Sequence, residues 1–531
     1  MPMPKEIREI QLYPLAAGIL PVLVTYNIRG ANHVALQNLL PPLLISAILS
    51  LIVYALFWRL RKQIGNAAIC TWLLLTALFA FTYVVIGFDF CLMTLSIKDA
   101  GTAIIVGQIF ISLAAALALT IVFALITKKS WLSKIESLLC RTTSFLLILQ
   151  LMVLFQHEFN YFFVIEPQVA KEQARLMPKI SKLGKTQSDR DIYLIVLDEM
   201  ASPEVLSRVF SYDNSDFVSQ LRRRGFLIDE SSLSNYPLTR LSLASILNMT
   251  YLDFLGDSKA KETQKDYAPT TRLLQRSNLA KFLQQQGYDY IHIGSEMPPT
   301  DSTVMANQNR YPLIDEFSLR FWQSTTLGQT PGFSKFLAHL RRKSRLDALK
   351  YLELADAGQK PKFVLCHILC PHEPFDLNAD GSARDEIMPN RIESAWDDEA
   401  RRAYLGQVQF IEKRIIGTID KIIEKSKSQP IIVLQGDHGT YAEDEMAKDY
   451  PKEDLYQERY GILNAYLVPD DMKAKIYRGI TPVNSFRVIL SELFGADLPA
   501  LADKQIYATY AQPFKFRDVS DRVRKLQAAL K

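Results

Sequence analysis

Histidine is scarce in this chain of 531 residues, with seven in all, and there are five cysteines. Three of those cysteines, Cys70, Cys91 and Cys140, fall in or beside long apolar runs, so no disulfide framework can organise the fold. The remaining two, Cys366 and Cys370, stand four apart on one apolar run, a spacing poorly suited to disulfide geometry, and read as free, buried thiols. No block of Lys and Arg interleaved with aromatics occurs, and the net charge of +5 is spread along the whole length, so a nucleic-acid partner is not indicated. Internal repeats and low-complexity tracts are also missing.

What is present is uneven. The 49% hydrophobic content is concentrated at the N-terminal end. Apolar runs lie at roughly 12–28, 39–58, 67–88, 102–127 and 142–156, each near the ~20 residues a helix needs to cross ~30 Å of hydrocarbon. Lys5 and Arg8 precede the first run, Arg59, Arg61 and Lys62 follow the second, and Lys128, Lys129, Lys134 and Arg141 lie between the fourth and fifth. The other two loops carry only Arg29 and Lys98. The first and last runs are marginal in length, which leaves four spans as the alternative to five; positive loops stay cytoplasmic, so five spans put the N-terminus inside and everything after about residue 160 outside. The opening run has no small-residue cleavage site and reads as an anchor. A linker or interfacial helix over 161–190, rich in Lys and Pro, separates the transmembrane part, 1–160, from an outer domain, 191–531.

In the outer domain the pattern changes. Short apolar runs "IYLIVLD", "YDYIHIG", "KFVLCHILC", "PIIVLQGD" and "GILNAYLVP" alternate with helical stretches at 271–286, 333–351 and 394–426. That alternation predicts an α/β sheet, and such sheets bind ligands beyond the carboxyl ends of their strands. Asp198-Glu199 end the first of these runs; a helix-capping acid before "SPEVL" would read the same way. "CHILCPHEPF" carries His367 and, past its end, His372. "LQGDHG" delivers Asp437-His438, an oxygen and a nitrogen donor of the kind that Zn²⁺ or Mn²⁺ accepts. In "SNYPLTRLSLASILNM" a Tyr-Pro turn precedes helical periodicity, placing Thr239 at or near a helix N-terminus. A hydroxyl there serves as a cap, or faces free N–H groups and the positive helix end as an attacking group beside a phosphate.

These segments, in this order, resemble the membrane-anchored branch of the alkaline-phosphatase/sulfatase superfamily, which includes phosphoethanolamine transferases and lipoteichoic-acid (phosphoglycerol) synthases. The motifs that carry the resemblance are "NYPLTRLSLASILNMTYL", "PHEPF" and "LQGDHG", with "RYGILNAYLVP" and "TPVNSFRVIL" similar to the C-terminal part of that branch. The resemblance implies about five transmembrane helices followed by an extracytoplasmic sulfatase-like domain in a bacterial inner membrane. It implies Asp437 and His438 as metal ligands, Asp198 or Glu199 as the first-strand ligand, and Thr239 as nucleophile and ligand. His367 and His372 then lie near the transferred phosphate or a second zinc, as the catalytic groups that protonate the leaving oxygen or deprotonate the acceptor. The cofactor implied is one divalent metal, Zn or Mn, with Mg or Ca as alternatives.

The implied partners are a phospholipid donor and a cell-envelope glycan or lipid acceptor. The implied activity is transfer of phosphoethanolamine or phosphoglycerol through a phospho-Thr intermediate, with a membrane-anchored phosphodiesterase or sulfatase-like hydrolase as the alternative. Two departures stand out. "DHGTYAEDEM" lacks the further His that phosphoethanolamine transferases carry, which argues against a complete second zinc site. The Thr239 segment also lacks the Cys that type I sulfatases convert to formylglycine.

Overall fold

The structure is a computed structural model that describes residues 13–30, 34, 36–61, 67–79, 129–176, 188–256, 267–356, 358–388, 396–442 and 455–529. It divides into two compact units. One comprises Met1–Phe163 with Asp315–His339, and the other Val164–Ile314 with Leu340–Lys531. The chain therefore passes between units three times, and Asp315–His339, which the sequence counts with the outer domain, groups with the helical unit.

In the helical unit, Leu36–Leu60 and Lys134–Arg175 are long and apolar enough to cross a membrane, and Tyr13–Ile28 and Ala67–Phe79 are shorter apolar helices. Of the five expected spans, those at 39–58 and 142–156 fall on the two long helices and those at 12–28 and 67–88 on the two shorter ones, with residues 12 and 80–88 outside the described residues; the run at 102–127 lies wholly outside them. The two long helices leave their apolar side chains exposed, among them Leu44, Ile48, Leu51, Phe145, Ile148 and Phe155. A core helix of a soluble protein would bury them; this exposure fits a membrane anchor. Polar contacts collect at one end of the bundle, where Tyr26 donates its hydroxyl to Glu158 (3.0 Å) and Asn27 donates to the Gln150 carbonyl (2.9 Å).

The second unit is built on a seven-stranded sheet. Its strands in chain order are β1 (Ile192–Leu197), β2 (Leu227–Ile228), β3 (Asp289–Ile293), β4 (Gln308–Arg310), β5 (Lys362–Ile368), then β8 (Ile431–Gly436) and β9 (Asn464–Leu467) after a small hairpin of β6 (Phe375–Leu377) and β7 (Ala383–Met388). The order across the sheet is β2-β9-β8-β1-β5-β3-β4. β1 is central, parallel to β5 on one side and to β8 on the other.

Alternation along β1 explains the layers. Tyr193, Ile195 and Leu197 face one core with Leu349, Ile411 and Ile415, from the helices Pro331–Glu353 and Asp398–Lys425. Ile192, Leu194 and Val196 face the other, with Leu241, Leu279 and Ile489 from helices Thr239–Asn248, Asn278–Gln285 and Pro482–Phe494. Both faces are covered, which is why the strands read as continuous apolar runs. The helix expected over 271–286 is two helices, Ala268–Gln275 and Asn278–Gln285. Ser277 breaks it, accepting from the Ala280 N–H at 3.3 Å as the cap of the second helix.

Candidate metal centre and nucleophile

Parallel register brings the strand ends together. Leu197 of β1 sits opposite Gly436 of β8 and Ile368 of β5, so Asp198, Asp437 and the His367–His372 segment leave the sheet at one edge. An oxygen of Asp198, an oxygen of Asp437 and a ring nitrogen of His438 all lie within 4.8 Å of one another, and all three residues are buried. Each carboxylate has one oxygen engaged. Asp198 Oδ2 accepts from His367 Nε2 (3.1 Å), and Asp437 Oδ1 accepts from the Glu199 N–H (3.1 Å). Asp198 Oδ1 and Asp437 Oδ2 are buried with no donor among the described residues. Two unsatisfied carboxylate oxygens side by side away from water are costly unless a cation sits between them.

The ring of His438 completes the set. Its Nδ1 donates to the Gly439 carbonyl (2.9 Å), which leaves Nε2 as the lone-pair nitrogen, 3.5 Å from Asp437 Oδ2 and 3.8 Å from Asp198 Oδ1. Burial, helped by the charge of Arg459, drives its pKa well below the usual range and keeps it neutral. Burial also pushes Asp437 up to about 7, with the Asp198 charge adding to the rise. Burial acts against ionisation of Asp198 too, but the imidazoles of His372, His367 and His438 outweigh it and hold that carboxyl below its ordinary value. Two oxygens and one neutral imidazole nitrogen suit a divalent cation of the Zn or Mn kind. The backbone here tolerates only glycine. A Cβ on Gly439 would lie 2.0 Å from the Glu458 carbonyl oxygen, and one on Gly436 2.5 Å from that of Met200.

Thr239 is the first residue of its helix, behind an extended Leu238 that makes no side-chain cap. Its hydroxyl lies 3.0 Å from His438 Nε2. Ser242 and Ser245 on the same helix are committed elsewhere, donating to the carbonyls of Asp437 (2.6 Å) and Thr250 (2.7 Å). Of the two first-strand acids, Asp198 is in the cluster. Glu199, at a left-handed φ of 63°, directs a wholly buried carboxylate to within 3.6 Å of Arg459 Nη1. Burial raises Glu199 to about 8, against the lowering effect of His372 and Arg459.

The two further histidines differ. His367 is buried with both nitrogens engaged, Nε2 on Asp198 and Nδ1 2.9 Å from Thr300 Oγ1. His372 is half-buried after the end of β5, and its Nδ1 donates to the Glu373 carbonyl (2.5 Å). Burial acts to lower its pKa, but Asp198 and Glu199 raise it to about 9. Cys366 and Cys370 are free and buried, and burial raises both thiols, Cys370 to about 12.

Sequence reasoning missed Arg459. Its guanidinium donates to the Gly439 carbonyl (2.9 Å) and to that of Pro237, and lies over the Tyr441 ring at 5.2 Å. It thus fastens the strand end carrying His438 to the turn that delivers Thr239. The signal available was its place in "ERYGILNAY", directly before a buried strand, where a cation needs a buried reason.

Residues 190–468 match the sulfatase family. The chain belongs to that family. No curated protein sequence matches it. Among solved structures, it is similar to the C-terminal periplasmic domain of EcEptC from Escherichia coli in complex with Zn, at 12% identity and a TM-score of 0.43, over 64% of this chain and 96% of that one. The C-terminal periplasmic domain of the phosphoethanolamine transferase EptC from Campylobacter jejuni aligns at 11% identity and TM-score 0.35, over 59% and 91%. A putative sulfatase from Bacteroides thetaiotaomicron aligns at 14% and 0.37, over 62% and 75%.

Proposed function

We propose that this sulfatase-family protein is a metal-dependent transferase of a bacterial inner membrane, with several spans and its α/β unit outside. It moves phosphoethanolamine or phosphoglycerol from a phospholipid to Thr239 and from there to an extracytoplasmic glycan or lipid. The observation that carries this reading is the Thr239 hydroxyl at a helix N-terminus, 3.0 Å from His438 Nε2 at the three-ligand cluster. Asp198, Asp437 and His438, with Thr239 beside them, would hold the cation, which when bound lowers the pKa of a neighbouring hydroxyl and withdraws charge from a phosphoryl oxygen.

The chain's own residues do the rest. The helix N-terminus favours the anionic phosphoryl group. Thr239, entering as its alkoxide, bonds to phosphorus while the bond from phosphorus to the diacylglycerol oxygen breaks. His372, at the rim, supplies the proton that oxygen needs. In the second half an acceptor hydroxyl gives its proton to His372, bonds to phosphorus and releases Thr239 as the alkoxide it was. His367, tied on both nitrogens, orients Asp198 instead. Arg459 holds the Pro237 turn, and with it the helix start, in place.

The test is intact-mass spectrometry of the full chain after incubation with phosphatidylethanolamine or phosphatidylglycerol and no acceptor. A phosphoethanolamine or phosphoglycerol adduct on Thr239 is expected. An adduct on Ser242 or Ser245 refutes the nucleophile. Release of the head group to water at the same rate with and without acceptor glycan assigns the protein as a hydrolase.

A further inference from the structure

Residues Asp315–His339 are an excursion from the α/β unit that packs as part of the helical unit. The helix Glu316–Gln323 lies against the turn Leu36–Leu39 and the helix Leu40–Arg61 that continues from it. Phe317 meets Tyr26 edge to face at 5.7 Å, just past the helix Tyr13–Thr25. Thr326 meets the helix Ala67–Phe79 at the C-terminal side of its described residues, donating its N–H to the Leu78 carbonyl and its hydroxyl to the Ala77 carbonyl, each at 2.9 Å.

One excursion therefore touches the C-terminal end of the first apolar helix, the N-terminal end of the second, and the C-terminal side of the third among its described residues. The cationic residues mark the opposite ends. Lys5 and Arg8 precede the first helix, and Arg59 and Arg61 end the second, with Lys62 directly after it. By the positive-inside rule, all three ends that meet the excursion are outer ends. Two independent observations, packing and charge, select the same side.

The surface chemistry fits that level of a membrane. Aromatic rings follow one another from Phe79: Phe79 to Phe321 (5.8 Å), Phe321 to Trp322 (5.1 Å), Trp322 to Phe333 (6.3 Å) and Phe333 to Phe336 (6.0 Å). The row ends on Phe336, which is 50% exposed, near exposed Lys335; Leu327 is exposed as well. On the adjoining span Leu36, Leu40 and Leu44 are exposed too. Aromatics and a cation beside an apolar span are the composition of the membrane–water interface.

We infer that Asp315–His339 is a lipid-docking segment seated in the outer-leaflet interface, with Leu327 and Phe336 at the acyl boundary and Lys335 at the phosphate level. This holds whether the catalytic unit transfers or hydrolyses, since it rests on the helical unit alone. The test uses the full chain in vesicles of phosphatidylethanolamine and phosphatidylglycerol, with photoreactive benzoylphenylalanine in place of Phe336 or, separately, Leu327. The same probe at Phe155, exposed on a span, and at Ser219, exposed on the α/β unit, gives the two limits. After irradiation, phospholipid adducts are expected at 336 and 327 as at 155, and none at 219. Lipid adducts at 155 with none at 336 and 327 would overturn the inference, as would cross-links from 336 and 327 to another protein chain.

Discussion

Replacing Asp437 by Asn should change stability in opposite directions according to whether metal is present. With chelator, wild-type protein holds two buried carboxylates whose free oxygens face one another. Asp437 is raised from 3.8 to about 7. One pKa unit is ~1.4 kcal/mol, so the carboxylate form costs roughly 4 kcal/mol at a pH above that value. The sign follows from the direction: a raised acid is bound to its proton in the folded state, so its stabilising contribution is complete below 3.8 and is lost as pH rises through about 7. Asn keeps an oxygen to accept the Glu199 N–H and offers an amide donor toward Asp198, but it carries its own desolvation cost. A net gain on the order of 2 kcal/mol at pH 8 remains for the chelated variant, vanishing toward pH 4.

Metal reverses the order. A cation at about a hundred times its dissociation constant stabilises the folded wild type by ~2.7 kcal/mol, and the variant, short of one ligand, by little. The assay is thermal unfolding of purified full chain in detergent, from pH 4 to 8, with chelator and with Zn²⁺ or Mn²⁺. The shifts amount to roughly 4–8 °C for a unit of this size or somewhat less. If the chelated Asn variant melts below chelated wild type at pH 8, or gains as much from metal, the cluster is not a cation site.

Three further outcomes follow from neighbouring contacts. Arg459→Lys keeps a cation near Glu199 but cannot span the Gly439 and Pro237 carbonyls; transfer rate should fall at least about tenfold, ~1.4 kcal/mol, with metal content by elemental analysis unchanged. Full activity of that variant would remove Arg459 from the positioning of Thr239. Gly439→Ala drives a methyl into the Glu458 carbonyl and should cost about 3 kcal/mol and bound metal together; a metal-loaded variant that melts like wild type would contradict the packing at that turn. Glu412, which accepts from Tyr212 (2.8 Å) and Asn214 (3.0 Å), is raised by burial from 4.5 to about 7, so it stabilises below 4.5 and that contribution is lost through pH 7. In metal-loaded protein, Glu412→Gln should flatten stability against pH in that window, and an unchanged slope would show that Glu412 does not titrate there.

The sheet was legible because its central strands are buried on both faces. β1 is apolar throughout and β5 and β8 are apolar along most of their length, so each stands out as a run, and a run followed by Asp, His or Asp-His announces its own edge. The outermost strands were not legible for the converse reason. Leu227–Ile228 and Gln308–Arg310 are two and three residues long and partly exposed, so no apolar period marks them. The break at Ser277 was hidden because helical periodicity continues across a cap; only the capping side chain separates the two helices.

Within the site, the residues that sequence could nominate are those whose chemistry is rare, and the ones it missed are those whose chemistry is common. Asp198 and Glu199 show where even nomination stops. Neighbours on a strand point to opposite faces, but past the end of β1 the choice depends on the backbone, and the left-handed turn at Glu199 decides it by swinging that carboxylate toward Arg459. No propensity predicts a positive φ at a glutamate. Arg459 and Asp315–His339 fail for a related reason. An arginine before an aromatic, or an amphipathic stretch with Phe and Trp, is ordinary surface or core in most chains. What makes each informative is its partner: carbonyls 20 and 222 residues away for Arg459, and the ends of the apolar helices for the excursion. Thr239 and His438 are likewise 199 residues apart, yet both could be named in advance, because a hydroxyl at a helix start and an Asp-His pair at a strand end carry their use in local chemistry. The long-range contact then supports the proposed attack over capping alone. A hydroxyl that only caps needs nothing 3.0 Å away from it, and this one faces the single nitrogen that His438 leaves open.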